Sequence, residues 1–263
     1  MNIASLHREN KLNPVVTVSI VSHGDSKKVI RLLESMRIFE VPDCIQIIVT
    51  DNLGNEFPEM EDSSWWSFSI LRNERAWGFA CNHNHASKLA KGKYLCILNP
   101  DVVFLQSTLS QLLQRLETSQ ADIIAPLVVD ANGVIQDSFR ELPTPLDIIR
   151  RRFPGYRFDY AIAESNELIQ PDWVPGIFFI MRSIAYRELG GMNEKYRLYF
   201  EDVEFCTRAR LAGLKLLVDT NLRIQHDAHR ASRKRLIYLI WHIQSAIRFF
   251  SSSVYKMALK TSK

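Results

Sequence analysis

Ten glycines, ten prolines and four cysteines among 263 residues leave little material for several whole classes of protein. So little glycine and proline excludes collagen-like and low-complexity chains, and 46% apolar residues excludes intrinsic disorder. The cysteines, Cys44, Cys81, Cys96 and Cys206, lie far apart with no CxxC pair. That pattern fits reduced thiols in a cytosolic protein and argues against a zinc ribbon or a disulfide scaffold. No apolar run reaches the roughly 18–20 residues needed to span a bilayer. The opening residues, MNIASLHRENKLNPVV, contain no apolar signal core. The expectation is a chain that is neither exported nor membrane-spanning. A Walker A loop and a GxGxxG turn are also missing, so ordinary phosphate-loop and dinucleotide-binding readings lack their signature.

What is present is an alternation of apolar strands with helices. Residues 15–22 (VVTVSIVS) read as a buried strand, and His23-Gly24-Asp25 turns into a helix carrying Val29, Ile30, Leu32, Leu33 and Met36. Further strands are expected at 45–50, 68–71, 94–98 and 122–129, with helices near 78–91 and 105–120. Residues 139–172 read as an irregular excursion, 173–181 as a returning strand, and 200–212 as a helix closed by Gly213. Near-continuous apolar strands alternating with helices indicate an α/β fold, a Rossmann-like and mostly parallel sheet with helices on both faces. Polar clusters follow three strand ends: His23-Gly24-Asp25, Asp51-Asn52 and Asn99-Pro100-Asp101. Open α/β sheets hold their ligands outside those ends.

Charge is unevenly spread. From position 223 onward there are nine Lys or Arg and one acid, Asp227, so a chain of formal charge +4 is acidic over its remainder. Residues 233–250 (RKRLIYLIWHIQSAIRFF) begin basic and continue with helical apolar spacing. Such a segment suits a helix lying on an anionic membrane surface, and equally one packed on the globule. No helix-turn-helix, RNP or zinc pattern supports a nucleic-acid partner.

In order and spacing, the segments VSIVSHGD, IIVTDN, RNERAWGFACNHN, YLCILNPDVVF, DWVPGIFFIMR, YFEDVEFCTRARLAG and QHDAHRAS resemble glycosyltransferase family 2 over roughly residues 15–232. The SHG opening, the LNPD segment and the histidines near Gln225 are most similar to the dTDP-rhamnosyl transferases of bacterial O-antigen and cell-wall assembly. The resemblance implies a GT-A domain over 1–232, with a nucleotide-sugar half at about 14–130 and an acceptor half at 131–232. A basic amphipathic tail at 233–263 follows. It implies an inverting, Mg2+- or Mn2+-assisted transfer of a sugar, expected to be L-rhamnose from dTDP-β-L-rhamnose. The implied acceptor is a polyprenyl-diphosphate-linked saccharide in surface polysaccharide (O-antigen, lipopolysaccharide) synthesis. The enzyme would then work in the cytoplasm, peripherally on the inner face of the cell membrane. The alternatives keep the mechanism with a UDP-hexose or UDP-galactofuranose donor, or lose catalysis in a nucleotide-sugar-binding membrane adaptor.

The resemblance also distributes roles. Asp101 takes the place of the metal-binding aspartate, with Asn99 where the first acid of a DxD would stand, so the diphosphate must supply much of the coordination. By motif chemistry alone Asn-Pro-Asp reads first as a turn; the apolar strand before it and the resemblance favour the metal-binding role. Asp202 corresponds to the general base, at a helix start whose positive end favours its charge, with Glu201 beside it as an orienting or acceptor-binding residue. Glu204 is expected to face solvent or pair with Arg208. Ser22, His23, Asp51, Arg72 and Asn73 correspond to residues around the donor nucleoside. Trp173 and Gly176 fall in the acceptor segment. His226 is a candidate metal contact, with His229 a competitor. His83 and His85, two apart on a helix, point to different faces and are not expected to chelate together. Trp77 or Trp173 could wall an apolar pocket for a 6-deoxy sugar.

Overall fold

A computed structural model describes residues 14–40, 45–54, 66–136, 138–150, 168–226 and 236–261. Cys44, His229, the basic run at 233–235 and much of the expected excursion lie outside the described residues. The elements are β1 (Val16–Ser22), α1 (Ser26–Phe39), β2 (Ile45–Asp51), β3 (Trp66–Arg72), α2 (Phe79–Lys88), β4 (Tyr94–Leu98), β5 (Val102–Phe104), α3 (Thr108–Thr118) and β6 (Ile123–Val129). They continue with α4 (Pro145–Arg150), β7 (Leu168–Ile169), β8 (Phe178–Arg182), α5 (Ser183–Glu188), α6 (Glu201–Leu211), β9 (Leu216–His226), α7 (Leu236–Ser251) and α8 (Ser253–Thr261).

One sheet runs in the order β3-β2-β1-β4-β8-β6-β9-β5, with β7 against β9. The pairs β3–β2, β2–β1, β1–β4 and β6–β9 are parallel. Strand β8 enters antiparallel between β4 and β6, and β5 and β7 lie antiparallel on β9. Alternation of side chains across the pleat builds two cores. From β4, Tyr94, Cys96 and Leu98 point into the layer under α1 and α3, while Leu95 and Ile97 join the layer under α5 to α8. Helix α1 buries Val29, Leu32, Leu33 and Met36, and α3 buries Leu109, Leu112 and Leu116; both sets form one stripe at helical spacing. Glu40, at the end of α1, accepts from the Leu109 and Ser110 amides at 2.7 and 2.9 Å, satisfying donors that an α-helix start leaves open.

Two departures from the sequence expectation bear on the site. Residues 102–104 form β5 before α3 begins, because Val102 and Phe104 pair with β9. Trp173 stands outside the returning strand, joined to Arg140 by an isolated bridge, and β8 starts at Phe178.

The order of β2, β1 and β4 positions the candidate site. The chain leaves β1 to one side for β2 and returns to the other for β4, which opens a crevice beyond their carboxyl ends. In register, Ser22 lies beside Asp51, and Asp51 beside Arg72. Three separate loops therefore start from neighbouring points on one sheet edge.

Candidate active site

The donor side of the crevice rests on a buried amide network. Asn52, Asn73 and Asn82 are nearly inaccessible to solvent. Asn52 Oδ1 accepts from Asn73 Nδ2 at 2.8 Å and from the Trp77 amide at 2.8 Å. Its Nδ2 donates to Trp77 O at 3.0 Å and lies 3.1 Å from His23 Nδ1. Asn73 Nδ2 also donates to Asn82 Oδ1 at 2.7 Å. The loops after β1, β2 and β3 and the start of α2 are thereby joined. Asp51 is fully buried; Oδ1 accepts from the Leu53 and Gly54 amides and Oδ2 from Arg72 Nη1 at 3.3 Å. Ser22 is buried and accepts from the Asp25 amide at 3.3 Å, while His23 is exposed.

Sequence reasoning singled out Asn73 but missed Asn52 and Asn82 as the joint of these loops. The available signal was α2 itself, whose polar FACNHNHASK offers too few apolar residues to fill a buried face. His83 on that helix is buried against Ser19 Oγ at 2.8 Å, and burial lowers its pKa to about 3. His85 stacks at a tilt near Trp77 instead. The two rings point apart, as their spacing requires.

A second chain of contacts runs through the middle of the sheet edge. The Asn99 amide donates to Ile177 O at 2.8 Å, so the end of β4 meets the approach to β8. One residue earlier, the Gly176 amide donates to Asp202 Oδ2 at 3.1 Å. A Cβ at Gly176 would come 2.8 Å from Phe79 Cζ, so the Phe79 ring would have to shift to admit a side chain there. Gly78 is likewise tight, its hypothetical Cβ only 2.6 Å from Arg197 O. Two residues beyond Asn99, Asp101 Oδ1 lies 3.0 Å from His226 Nε2, brought there by the pairing of Val102 with His226. Asp202, Gly176, Asn99, Asp101 and His226 are thus linked by direct contacts or short chain steps.

Helix α6 begins unusually. Tyr199 and Phe200 both adopt left-handed φ values, 71° and 66°. For bulky residues that conformation costs on the order of 1–3 kcal/mol each and persists only where surrounding contacts impose it. The turn delivers Glu201 and Asp202 to the first positions of the helix. Burial pushes both carboxyls up. For Asp202 the Gly176 and Val203 amides oppose the shift. Glu201 goes further, well above the usual carboxylate range, because the charge of Asp202 adds to burial. Its Oε2 is buried with no hydrogen-bond partner. Glu204 does not face solvent: it is buried and paired with Arg208 at 2.9 Å. Trp173 is also buried, donating its indole N–H to Glu141 O at 3.0 Å, with the Arg140 guanidinium over its ring.

Whether a divalent cation fits can be judged from Asp101 and His226. Burial raises the Asp101 carboxyl, but the facing imidazole and more distant Lys28 outweigh it, so its pKa falls below the ordinary value. Its Oδ1 is buried and lacks a properly angled donor. A carboxylate and an imidazole nitrogen suit a cation that takes its remaining ligands from a diphosphate. No cluster of three or more His, Cys, Asp or Glu is found among the described residues.

The sheet, with polar loops at this edge and an acidic pair over it, has the GT-A fold of solved glycosyltransferases. The family model for glycosyl transferase family 2 matches residues 17–187, and the chain belongs to that family. Rhamnosyltransferase WbbL of Escherichia coli (strain K12) is 24% identical over 249 residues, covering 90% of this chain and 93% of that one. The N-acetylglucosaminyl-diphospho-decaprenol L-rhamnosyltransferase of Mycobacterium tuberculosis (strain ATCC 25618 / H37Rv) is 26% identical over 170 residues, covering 60% of this chain and 55% of that one. Among solved structures, the mannosyltransferase PcManGT from Pyrobaculum calidifontis, in complex with GDP-Man and Mn2+, superposes with a TM-score of 0.58 at 15% identity. It covers 94% of this chain and 69% of its own.

If the asparagine network holds the crevice loops together, Asn52→Ala should cost about 2–4 kcal/mol, because it strands several buried donors and acceptors. Urea unfolding monitored by tryptophan fluorescence measures this. A loss below about 0.5 kcal/mol would mean the network does not stabilise the fold.

Proposed function

We propose that this glycosyltransferase inverts the anomeric centre, with Asp202 as general base and Asp101 and His226 as the residues that would hold a divalent cation. The observation that carries the reading is the tie between Asp202 and Gly176, beside the strand end bearing Asn99 and Asp101. It supports one cleft in which a base faces a diphosphate site.

In this reading the donor nucleoside lies over Ser22, His23, Asp51, Arg72 and Asn73, with Asn99 at the diphosphate. The acceptor hydroxyl approaches from the side of Gly176, Glu201 and Trp173. Asp202 takes the proton from that hydroxyl while its oxygen bonds to the anomeric carbon from the face opposite the diphosphate. The carbon–oxygen bond to the diphosphate breaks, and configuration inverts. Burial raises both carboxyls of the pair, while the Gly176 and Val203 amides favour the charged form of Asp202, as a base requires. A bound Mg2+ or Mn2+ would supply positive charge to the departing diphosphate.

The donor we propose is dTDP-β-L-rhamnose and the acceptor a polyprenyl-diphosphate-linked saccharide, as in O-antigen synthesis. Both relatives are named for rhamnose transfer, and the Mycobacterium tuberculosis protein also for a diphospho-decaprenol acceptor, which supports the sugar and the class of acceptor. Trp77, half-buried at the crevice, could wall an apolar subsite for the 6-methyl group. Such a contact discriminates by only about 1–3 kcal/mol. A membrane-surface location in the cytoplasm fits a lipid-linked acceptor. Helix α7 exposes Leu236, Ile237, Ile240, Ile243 and Ile247, and residues 236–261 contain three Lys or Arg and no acid. No described helix is long and apolar enough to cross a membrane. A UDP-hexose donor with the same mechanism is the second reading.

Replacing Asp202 with Asn should abolish turnover and leave dTDP affinity within about threefold, since only the chemical step needs the base. The raised folded pKa fixes the sign of the pH dependence: kcat should fall with acidification through a value above the ordinary aspartate pKa of about 4. A mutant turning over at the native rate, or a kcat flat down to about pH 4, would remove Asp202 as base.

Ranking kcat/KM for dTDP-rhamnose, UDP-glucose, UDP-galactose and UDP-N-acetylglucosamine on a synthetic lipid-diphosphate N-acetylglucosamine tests the donor. Rhamnose should lead by about 10–200-fold. Repeating the leading reaction after EDTA should eliminate it. A UDP-sugar at the top overturns the rhamnose assignment, and activity surviving EDTA overturns the cation role of Asp101 and His226.

Co-sedimentation with phosphatidylglycerol vesicles at low salt should recover the full chain, and Ile243→Asp with Ile247→Asp should release it. Wild-type protein left in the supernatant would count against the membrane surface.

A further inference from the structure

Helix α7 lies outside the sheet and contributes none of the site residues, yet one stripe of it covers the segment just before the acidic pair. Tyr196, Arg197, Leu198, Tyr199 and Phe200 each have a partner there. The Arg197 guanidinium lies over the Trp241 ring at 4.6 Å, and that of Arg248 over Tyr196 at 5.9 Å. Buried Ser245 donates its hydroxyl to Leu198 O at 3.0 Å. The His242 ring meets Tyr199 edge-on at 5.2 Å and Phe200 edge-on at 5.5 Å. Phe249, fully buried, contacts Phe200 at 5.6 Å. Positions 241, 242, 245, 248 and 249 form one helical face.

The segment so covered is the strained one. Tyr199 and Phe200 are consecutive left-handed residues, and Phe200, at the N-cap of α6, offers no side-chain acceptor to the open amides, of which Val203 donates to Asp202 Oδ1 instead. Nothing in the local sequence favours this path, because neither residue is glycine or asparagine. Contacts from α7 cover it, and at its start the Arg197 carbonyl also accepts from the Phe79 amide of α2 at 3.4 Å. A turn of this kind sets the direction in which α6 starts, and hence where the Asp202 carboxylate meets the Gly176 amide.

We infer that α7 is a positioning brace for the proposed base: its 241–249 face, through His242 and Ser245 above all, holds the Tyr199–Phe200 turn in its left-handed path and so aims Asp202. The inference rests on the reading of Asp202 as base. None of the α7 residues is assigned contact with substrate.

The test uses the full chain with His242→Ala, Ser245→Ala and His242→Phe, the last keeping an aromatic edge against the turn. Hydrogen–deuterium exchange needs no substrate: peptides covering 196–204 should exchange about tenfold faster in the two alanine variants, with β1 to β4 unchanged. Turnover with the best donor of the panel above should show kcat lower by about tenfold or more and donor KM within about twofold. His242→Phe should recover most of both effects.

Unchanged exchange over 196–204 overturns the brace, as does faster exchange spread evenly over the chain, which would mark a merely structural helix. Native kcat in both alanine variants overturns it too, and so does a His242→Phe variant as impaired as His242→Ala. Failure of the base reading would be seen separately, in Asp202→Asn, and would leave the exchange result standing.

Discussion

The hydrogen bond from the Gly176 amide to Asp202 Oδ2 is the contact on which the arrangement of the site depends. Gly176 approaches β8, which lies antiparallel on β4; Asp202 opens α6 on the other side of the crevice. That link ties the acidic pair to the segment leading into β8, with the Cys206 thiol donating to Val174 O at 3.8 Å as a second tie from α6. A Cβ at 176 would come within 3 Å of the Phe79 ring, which would have to shift to admit one. A half-buried carboxylate held by two backbone amides keeps acceptor capacity while its pKa stays above the ordinary value.

Around this contact the two halves of the fold use different means of rigidity. The donor side is tied by neutral amides, Asn52, Asn73 and Asn82, which cross-link loops without adding charge where a nucleotide would have to bind. The side of the acidic pair is held by packing. Phe200, Phe249, Phe250 and Tyr255 form a continuous aromatic cluster joining the start of α6 to the C-terminal helices. The strained Tyr199–Phe200 turn sits within this packing, beside partners some forty residues away in the chain.

The C-terminal pair of helices has two faces with different company. Inward, Ala246, Phe249, Tyr255 and Ala258 are buried in the core; outward, isoleucines of α7 meet solvent. The sequence left open whether this segment packs on the globule or faces a surface, and its periodicity is compatible with both. A helix can do both when its apolar residues exceed one stripe, as they do here.

Much of the sheet was legible beforehand because its strands are near-continuous apolar runs and α1 and α3 carry apolar residues at strict helical spacing. The polar strand ends at Ser22, Asp51 and Asn99 followed from the same reading. By itself the sequence determined which segments must be buried, since that depends only on local composition and period. Only the tertiary structure decided what lies between them. The antiparallel entry of β8, the pairing that faces His226 toward Asp101, the burial of Glu204 and Trp173, and the asparagine joint all join residues far apart in the chain. The left-handed path of Tyr199 and Phe200 belongs to the same set: no local preference favours it, and residues of a helix some forty positions downstream pack against it.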